Sequence, residues 1–178
     1  MKKIIIILIL MLSFNINSLY PQCITKSQVY TENQENFSGT WEYTSGNVIF
    51  RIVLKMAVDE TVLNSAPCLI GDYFYSKNGF VMDNYNEAEI PSSYTETNYK
   101  SLIIFATNAK VKAIWVSPNN LYVFFRDKRT KTWTGNGNIE LISPTQIHWT
   151  LKGEEGVYDN EDSFKGFSVP TDVIMNKK

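Results

Sequence analysis

The sequence predicts an all-β protein, an antiparallel up-and-down meander of about 8–10 strands that closes into a barrel. Three observations carry that expectation. The apolar residues recur with a period of two, turn signals punctuate the chain at short intervals, and no segment sustains a helical period of 3.6. Short turns join antiparallel neighbours, whereas a parallel sheet would need long crossovers.

The barrel domain is expected over residues 37–178. It opens with Phe37-Ser38-Gly39-Thr40-Trp41-Glu42-Tyr43, and the turn signal Ser45-Gly46-Asn47 leads into the clearest strand of the chain. There Val48, Phe50, Ile52, Leu54 and Met56 share one face, while Arg51 and Lys55 take the other. Leu69 to Ser76 and Phe80 to Asp83 flank Lys77-Asn78-Gly79, whose Asn-Gly pair suits the positive φ angles of a tight hairpin. Residues 84–100 are polar, contain Pro91 and read as a long loop.

Leu102 to Ala106 is a continuous apolar run, and Thr107-Asn108-Ala109 turns the chain into a strand over Lys110 to Val116 that carries Trp115. After Ser117-Pro118-Asn119-Asn120, the run Leu121-Tyr122-Val123-Phe124-Phe125 is apolar on both faces and reads as a central strand. Asp127-Lys128-Arg129-Thr130-Lys131 reads as a polar turn. Trp133 to Ile142 and Gln146 to Lys152 pair across Ser143-Pro144-Thr145, with Ile147, Trp149 and Leu151 on the apolar face and His148 on the polar one. Gly135-Asn136-Gly137-Asn138 reads as a bulge or turn, since it lacks the Lys and the strand-to-helix setting of a phosphate loop. Gly153 to Lys165 is acidic, and Phe167 to Met175 forms the last strand, with Pro170 at an open edge or bulge. The first and last strands are the ones that must meet if the barrel closes, because closure removes the exposed sheet edges.

Ahead of this domain, Lys2 and Lys3 precede the apolar run Ile4 to Leu12, which is too short to span a bilayer and has the layout of a secretory signal peptide. Residues 1–18 are therefore expected to be removed after Ser18, leaving a polar leader over residues 19–36. The product is expected outside the cytoplasm, in the periplasm or the extracellular space. In the alternative, Cys23 becomes a lipid-modified N-terminus anchored to the outer membrane, although bulky Gln22 stands where such signals place a small residue.

The formal net charge of −1 becomes −3 once Lys2 and Lys3 are lost, and with no basic block the chain shows no footprint for nucleic acid. No second apolar run long enough for a transmembrane helix is present in the mature chain. Cys23 and Cys68 are the two cysteines. In an oxidising compartment they can form a disulfide, and closing the loop of about 46 residues between them stabilises by up to about 4 kcal/mol in the chain-entropy picture. The alternative leaves Cys68 as a small buried side chain and Cys23 in the leader.

Candidate chemistry is sparse. His148 is the only histidine, so a His-rich metal site is excluded and a Ser or Cys nucleophile has one imidazole to call on. Glu154-Glu155 and Asp159-Asn160-Glu161-Asp162 could offer oxygen ligands to calcium, but the spacing is not that of an EF-hand, and a solvated acidic loop explains them. Adjacent loop carboxylates are poorly placed to act as a glycosidase pair. No catalytic residue, metal or cofactor is expected. The remaining signal is aromatic: the chain has four Trp, ten Phe and ten Tyr, which can either fill a barrel or line a pocket for a small apolar ligand.

Phe37-Ser38-Gly39-Thr40-Trp41 followed by a strand resembles the Gly-x-Trp start of the lipocalin and calycin barrels, in which the Trp plugs one end. Gly39 and Trp41 carry that likeness. A lipocalin would also place an Arg near the end of its last strand, against that Trp, and residues 153–178 contain none. More of the chain, from Phe37-Ser38-Gly39-Thr40-Trp41-Glu42-Tyr43-Thr44-Ser45-Gly46-Asn47 to Phe167-Ser168-Val169-Pro170-Thr171-Asp172-Val173-Ile174-Met175-Asn176-Lys177, resembles a family of short exported Bacteroidetes proteins with a domain of unknown function. That resemblance implies export and the barrel, and carries over no site residue. The function expected is a non-enzymatic exported β-barrel that binds a small apolar ligand. The alternative is a structural or protein-interaction module of the cell envelope with a filled barrel.

Overall fold

The computed structural model describes residues 34–61, 66–98, 102–107, 119–131, 133–153 and 166–178. The signal peptide, most of the leader with Cys23, the strand expected over Lys110 to Val116 and the acidic segment 154–165 lie outside the described residues.

Among the described residues ten strands follow one another: β1 (Gly39–Ser45), β2 (Val48–Asp59), β3 (Ala66–Lys77), β4 (Phe80–Asp83), β5 (Ser93–Tyr94), β6 (Ile104–Thr107), β7 (Asn120–Arg126), β8 (Trp133–Ser143), β9 (Gln146–Leu151) and β10 (Asp172–Lys177). Eight of them close a ring in the order β1-β2-β3-β6-β7-β8-β9-β10, each antiparallel to its neighbours. The expected closure is made by the first and last strands, with Trp41 opposite Lys177 and Glu42 opposite Asn176. The other two strands stand outside the ring. β4 continues the sheet from the end of β3, and β5 runs parallel to the end of β2.

The period-two pattern sets which residues face inward. Phe50, Ile52 and Leu54 lie opposite Tyr75, Tyr73 and Gly71 across the β2–β3 ladder, and all share the barrel's inner face. Ile104 and Ala106 follow on β6, Leu121, Val123 and Phe125 on β7, and Ile147, Trp149 and Leu151 on β9. The middle of the barrel is a network of rings. Phe50 meets Trp149 at 5.9 Å and Tyr73 at 6.1 Å between centroids, Phe125 meets Trp149 at 5.6 Å, and Tyr73 meets Phe125 at 5.4 Å. Aromatic pairs of this kind add about 0.5–1.5 kcal/mol each beyond the area they bury.

Two close approaches draw the wall tight. An added Cβ at Gly71 would stand 2.2 Å from the Val53 carbonyl oxygen, and one at Gly137 would stand 2.8 Å from the Val123 carbonyl oxygen. Gly137 lies beside the β7–β8 register shift between Val123 and Phe125, so the Gly-Asn-Gly-Asn segment forms part of a bulged strand pair. Asn78 and Gly79 adopt φ of 55° and 80°, as the β3–β4 hairpin requires.

The long loop after β4 packs on the barrel's outside. Ile90, Tyr94, Leu102 and Phe105 cover Ala57, Cys68 and Ile70, and the loop is tied down by Val58 N–H donating to Ser92 O and Glu60 N–H to Tyr94 O. Pro170 precedes β10, and its carbonyl accepts from Trp149 Nε1 at 3.2 Å. The last strand thus begins at Asp172, after the residue that cannot donate to a ladder.

Candidate functional site: a polar cluster at one end of the barrel

One end of the barrel is gathered by the turn after β7. Asp127 is fully buried, and its carboxylate accepts from four donors. Oδ1 takes the backbone N–H of Arg129 (2.8 Å), that of Thr130 (3.1 Å) and the Ser168 hydroxyl (2.9 Å), while Oδ2 takes the Ser168 N–H (2.5 Å). An Asp after a strand often closes its own turn in this way. Here it also holds the segment before β10, whose Phe167 ring lies 5.9 Å from Phe125.

Lys128 reaches the other way. Its Nζ lies 2.6 Å from Asp72 Oδ1 and donates to the Asn84 carbonyl at 2.8 Å, so β3 and the exit of β4 share one ammonium group. Its backbone N–H donates to Tyr73 Oη at 2.9 Å, and Nζ sits 5.0 Å from the centre of the Tyr73 ring. Burial pushes the Asp72 carboxyl above its ordinary range despite the Lys128 partner. Burial likewise raises the Tyr73 hydroxyl, and the carboxylates of Asp127, Asp83 and Asp72 add to the effect against the pull of the Lys128 N–H. A phenol held neutral and accepting a hydrogen bond is a structural group here, poorly suited to proton transfer at neutral pH. Asp83, at the end of β4, completes the cluster. Its Oδ2 is buried with no hydrogen-bond partner among the described residues.

The β3–β4 hairpin carries this cluster at its base and two large exposed apolar side chains on β4, Phe80 (72% exposed) and Val81 (61%). β4 also ends the sheet, with no strand on its outer side among the described residues.

The residues singled out from sequence fall elsewhere. Trp41 is fully buried toward the opposite end, its Nε1 donating to the Phe37 carbonyl at 2.8 Å. The cation against its ring is Lys177 of β10, with Nζ 5.0 Å from the ring centre, so a Lys occupies the place where an Arg was sought. Gly39 has φ of 116°, a backbone that L side chains rarely adopt.

Cys68 is fully buried beneath the outer loop, and burial, with a smaller contribution from Asp59, raises its thiol to about 12. Such a thiol is a poor nucleophile. Its expected disulfide partner, Cys23, lies outside the described residues. His148 faces outward on β9, and its Nε2 is 2.6 Å from Asp172 Oδ1 on β10. That pair is on the outer wall, away from the polar cluster. Among the described residues no three His, Cys, Asp or Glu side chains are grouped to hold a metal ion, and no helix is long and apolar enough to cross a membrane.

Sequence reasoning passed over Asp127, Lys128, Ser168, Asp72 and Asp83. The available signal was the placing of Asp72 and Asp83 within strands otherwise built of apolar and aromatic residues, since a carboxylate there needs a partner.

A closed antiparallel barrel with an aromatic interior and two accessory strands defines this as a β-barrel domain. The whole chain, residues 1–178, matches DUF6705, a family of unknown function, and the protein belongs to that family. No curated protein and no solved structure gives a match.

Proposed function

We propose that this protein is an exported, non-enzymatic module of the cell envelope, with a filled barrel as scaffold and its contacts on the outside. The observation that supports this reading is the ring network of Phe50, Tyr73, Phe125 and Trp149 across the middle of the barrel. An interior carrier of small apolar ligands would need that volume. The exposed pair Phe80 and Val81 on the β3–β4 hairpin is the element offered to a partner protein, because an edge strand with apolar side chains can take an extended segment by backbone pairing.

Titration with anilinonaphthalene sulfonate and with a long-chain fatty acid tests the scaffold reading. No saturable binding to the folded protein is expected, and a one-to-one complex with either would favour the carrier. Export is tested by the intact mass of the protein from its native host. A chain beginning at Leu19 is expected, whereas a lipid adduct beginning at Cys23 would make it a membrane-anchored protein.

A further inference from the structure

We infer that Asp83 is a pH-sensitive latch at the base of the β3–β4 hairpin: protonated, it lets β4 pack against the 127–131 turn, and ionised, it loosens that base. This goes beyond the proposed function and holds whatever the hairpin contacts.

The outer strand of the hairpin is short, four residues from Phe80 to Asp83. β4 meets β3 through Tyr75 opposite Asp83, Ser76 opposite Val81 and Lys77 opposite Phe80, with a register shift between Tyr75 and Ser76. Met82 packs on the core and the Asn78 N–H donates to the Asn47 carbonyl at 2.9 Å, while the base is held by Lys128, whose Nζ is already committed to Asp72 and to the Asn84 carbonyl.

Asp83 is inserted among these groups with Oδ2 buried and unpartnered among the described residues. Asp72 faces it from β3, and Asp127, Lys128 and Arg129 face it from the turn. The Tyr73 hydroxyl, also from β3, is occupied by the Lys128 N–H. The donors around Asp127 are spent on Asp127 itself and leave none for Asp83. A carboxylate oxygen shut away from water without a donor is costly when ionised and far less so when protonated.

Burial accordingly raises the Asp83 carboxyl above its ordinary 3.8, outweighing the attraction of Arg129, and Asp127 and Asp72 push the same way. The sign follows from linkage. A group raised in the folded state contributes stability that is complete below its unfolded value and is lost as the pH rises through the folded one. Acidification therefore tightens the hairpin, and a return toward neutrality frees it.

Amide hydrogen exchange of the full chain, corrected for intrinsic rates, tests the latch from about pH 4 to about pH 8. Protection of residues 80–83 should fall several-fold with rising pH relative to β2, while Asp83→Asn should hold the high level throughout. Equal pH dependence in the two proteins, a pH-independent wild type, or a D83N hairpin fixed at low protection would each overturn the inference. The side-chain carboxyl resonance of Asp83 in the wild-type protein provides a readout that needs no variant. Its titration midpoint should coincide with the change in β4 protection, and a midpoint elsewhere would also refute the latch.

Discussion

Trp41 joins three parts of the chain at one indole. It is fully buried, its N–H is taken by the Phe37 carbonyl, and its face is covered by Lys177 from the closing strand. Trp41→Ala should cost about 3–5 kcal/mol, the range for truncating a large buried aromatic. Trp41→Phe should cost less, because it keeps one aromatic ring in the core and loses only the five-membered part of the indole with its hydrogen bond. Chemical denaturation of both variants checks this, and an unchanged midpoint for Trp41→Ala would contradict the packing described. Trp41 was legible in the sequence because a Gly two residues before it announces a local conformation. Asp127 was not, because the Ser168 that explains its burial lies 41 residues further along the chain. Periodicity reports which face a residue takes and says nothing of a partner that distant.

At the scale of elements, the β2–β3 pair is the longest ladder, running from Val48 opposite Lys77 to Asp59 opposite Ala66. Gly71 lets its two backbones approach, since the missing Cβ would fall 2.2 Å from a carbonyl oxygen. Gly71→Ala forces backbone to move and should cost about 3 kcal/mol or more, at the severe end for single substitutions. Gly79→Ala is the matching control. Its Cβ meets nothing within 4 Å, so the cost is confined to the strain of φ 80°, about 1 kcal/mol. Thermal denaturation should rank the two in that order, and the reverse ranking would remove the close approach as the reason for a glycine at 71.

The strands and the Asn78-Gly79 turn were readable because alternation and turn chemistry are local signals. The parallel pairing of β5 with β2 was not, because two residues inside a polar loop carry no period to detect. Nor could alternation reveal that β4 stands outside the ring, since a four-residue strand reads alike in a wall and at an edge.

For the whole molecule, the ring is completed by strands from the two ends of the domain, and the Lys178 end of that seam is further bonded. Lys178 donates its backbone N–H to the Thr40 carbonyl at 2.9 Å and places Nζ 2.7 Å from Glu42 Oε1. Arg51 lies against the same carboxylate at 2.5 Å from Oε2. Burial raises the Glu42 carboxyl, but its bonds to Lys178 and Arg51, with their charges, outweigh this and leave it below its ordinary 4.5. Removing residues 171–178 strips β1 and β9 of their shared partner and exposes two sheet edges. That truncated chain should lose cooperative unfolding and self-associate. Calorimetry with sedimentation would detect both, and a monomer melting sharply would show that the seam is dispensable. Barrel closure was legible as a principle, because so many short strands need their edges hidden. The pairing partners of each strand were not, since alternation is the same for every neighbour.

The seam between β1 and β10 also dictates an order of events during synthesis. β1 emerges from the ribosome early and finds its second neighbour only when residues 172–177 have been made. Until then the chain can form at most an open sheet of the other ring strands, and long-range strand pairing is slow in any case. A barrel that cannot shut before its final strand arrives leaves the nascent chain with open sheet edges until its synthesis is nearly complete.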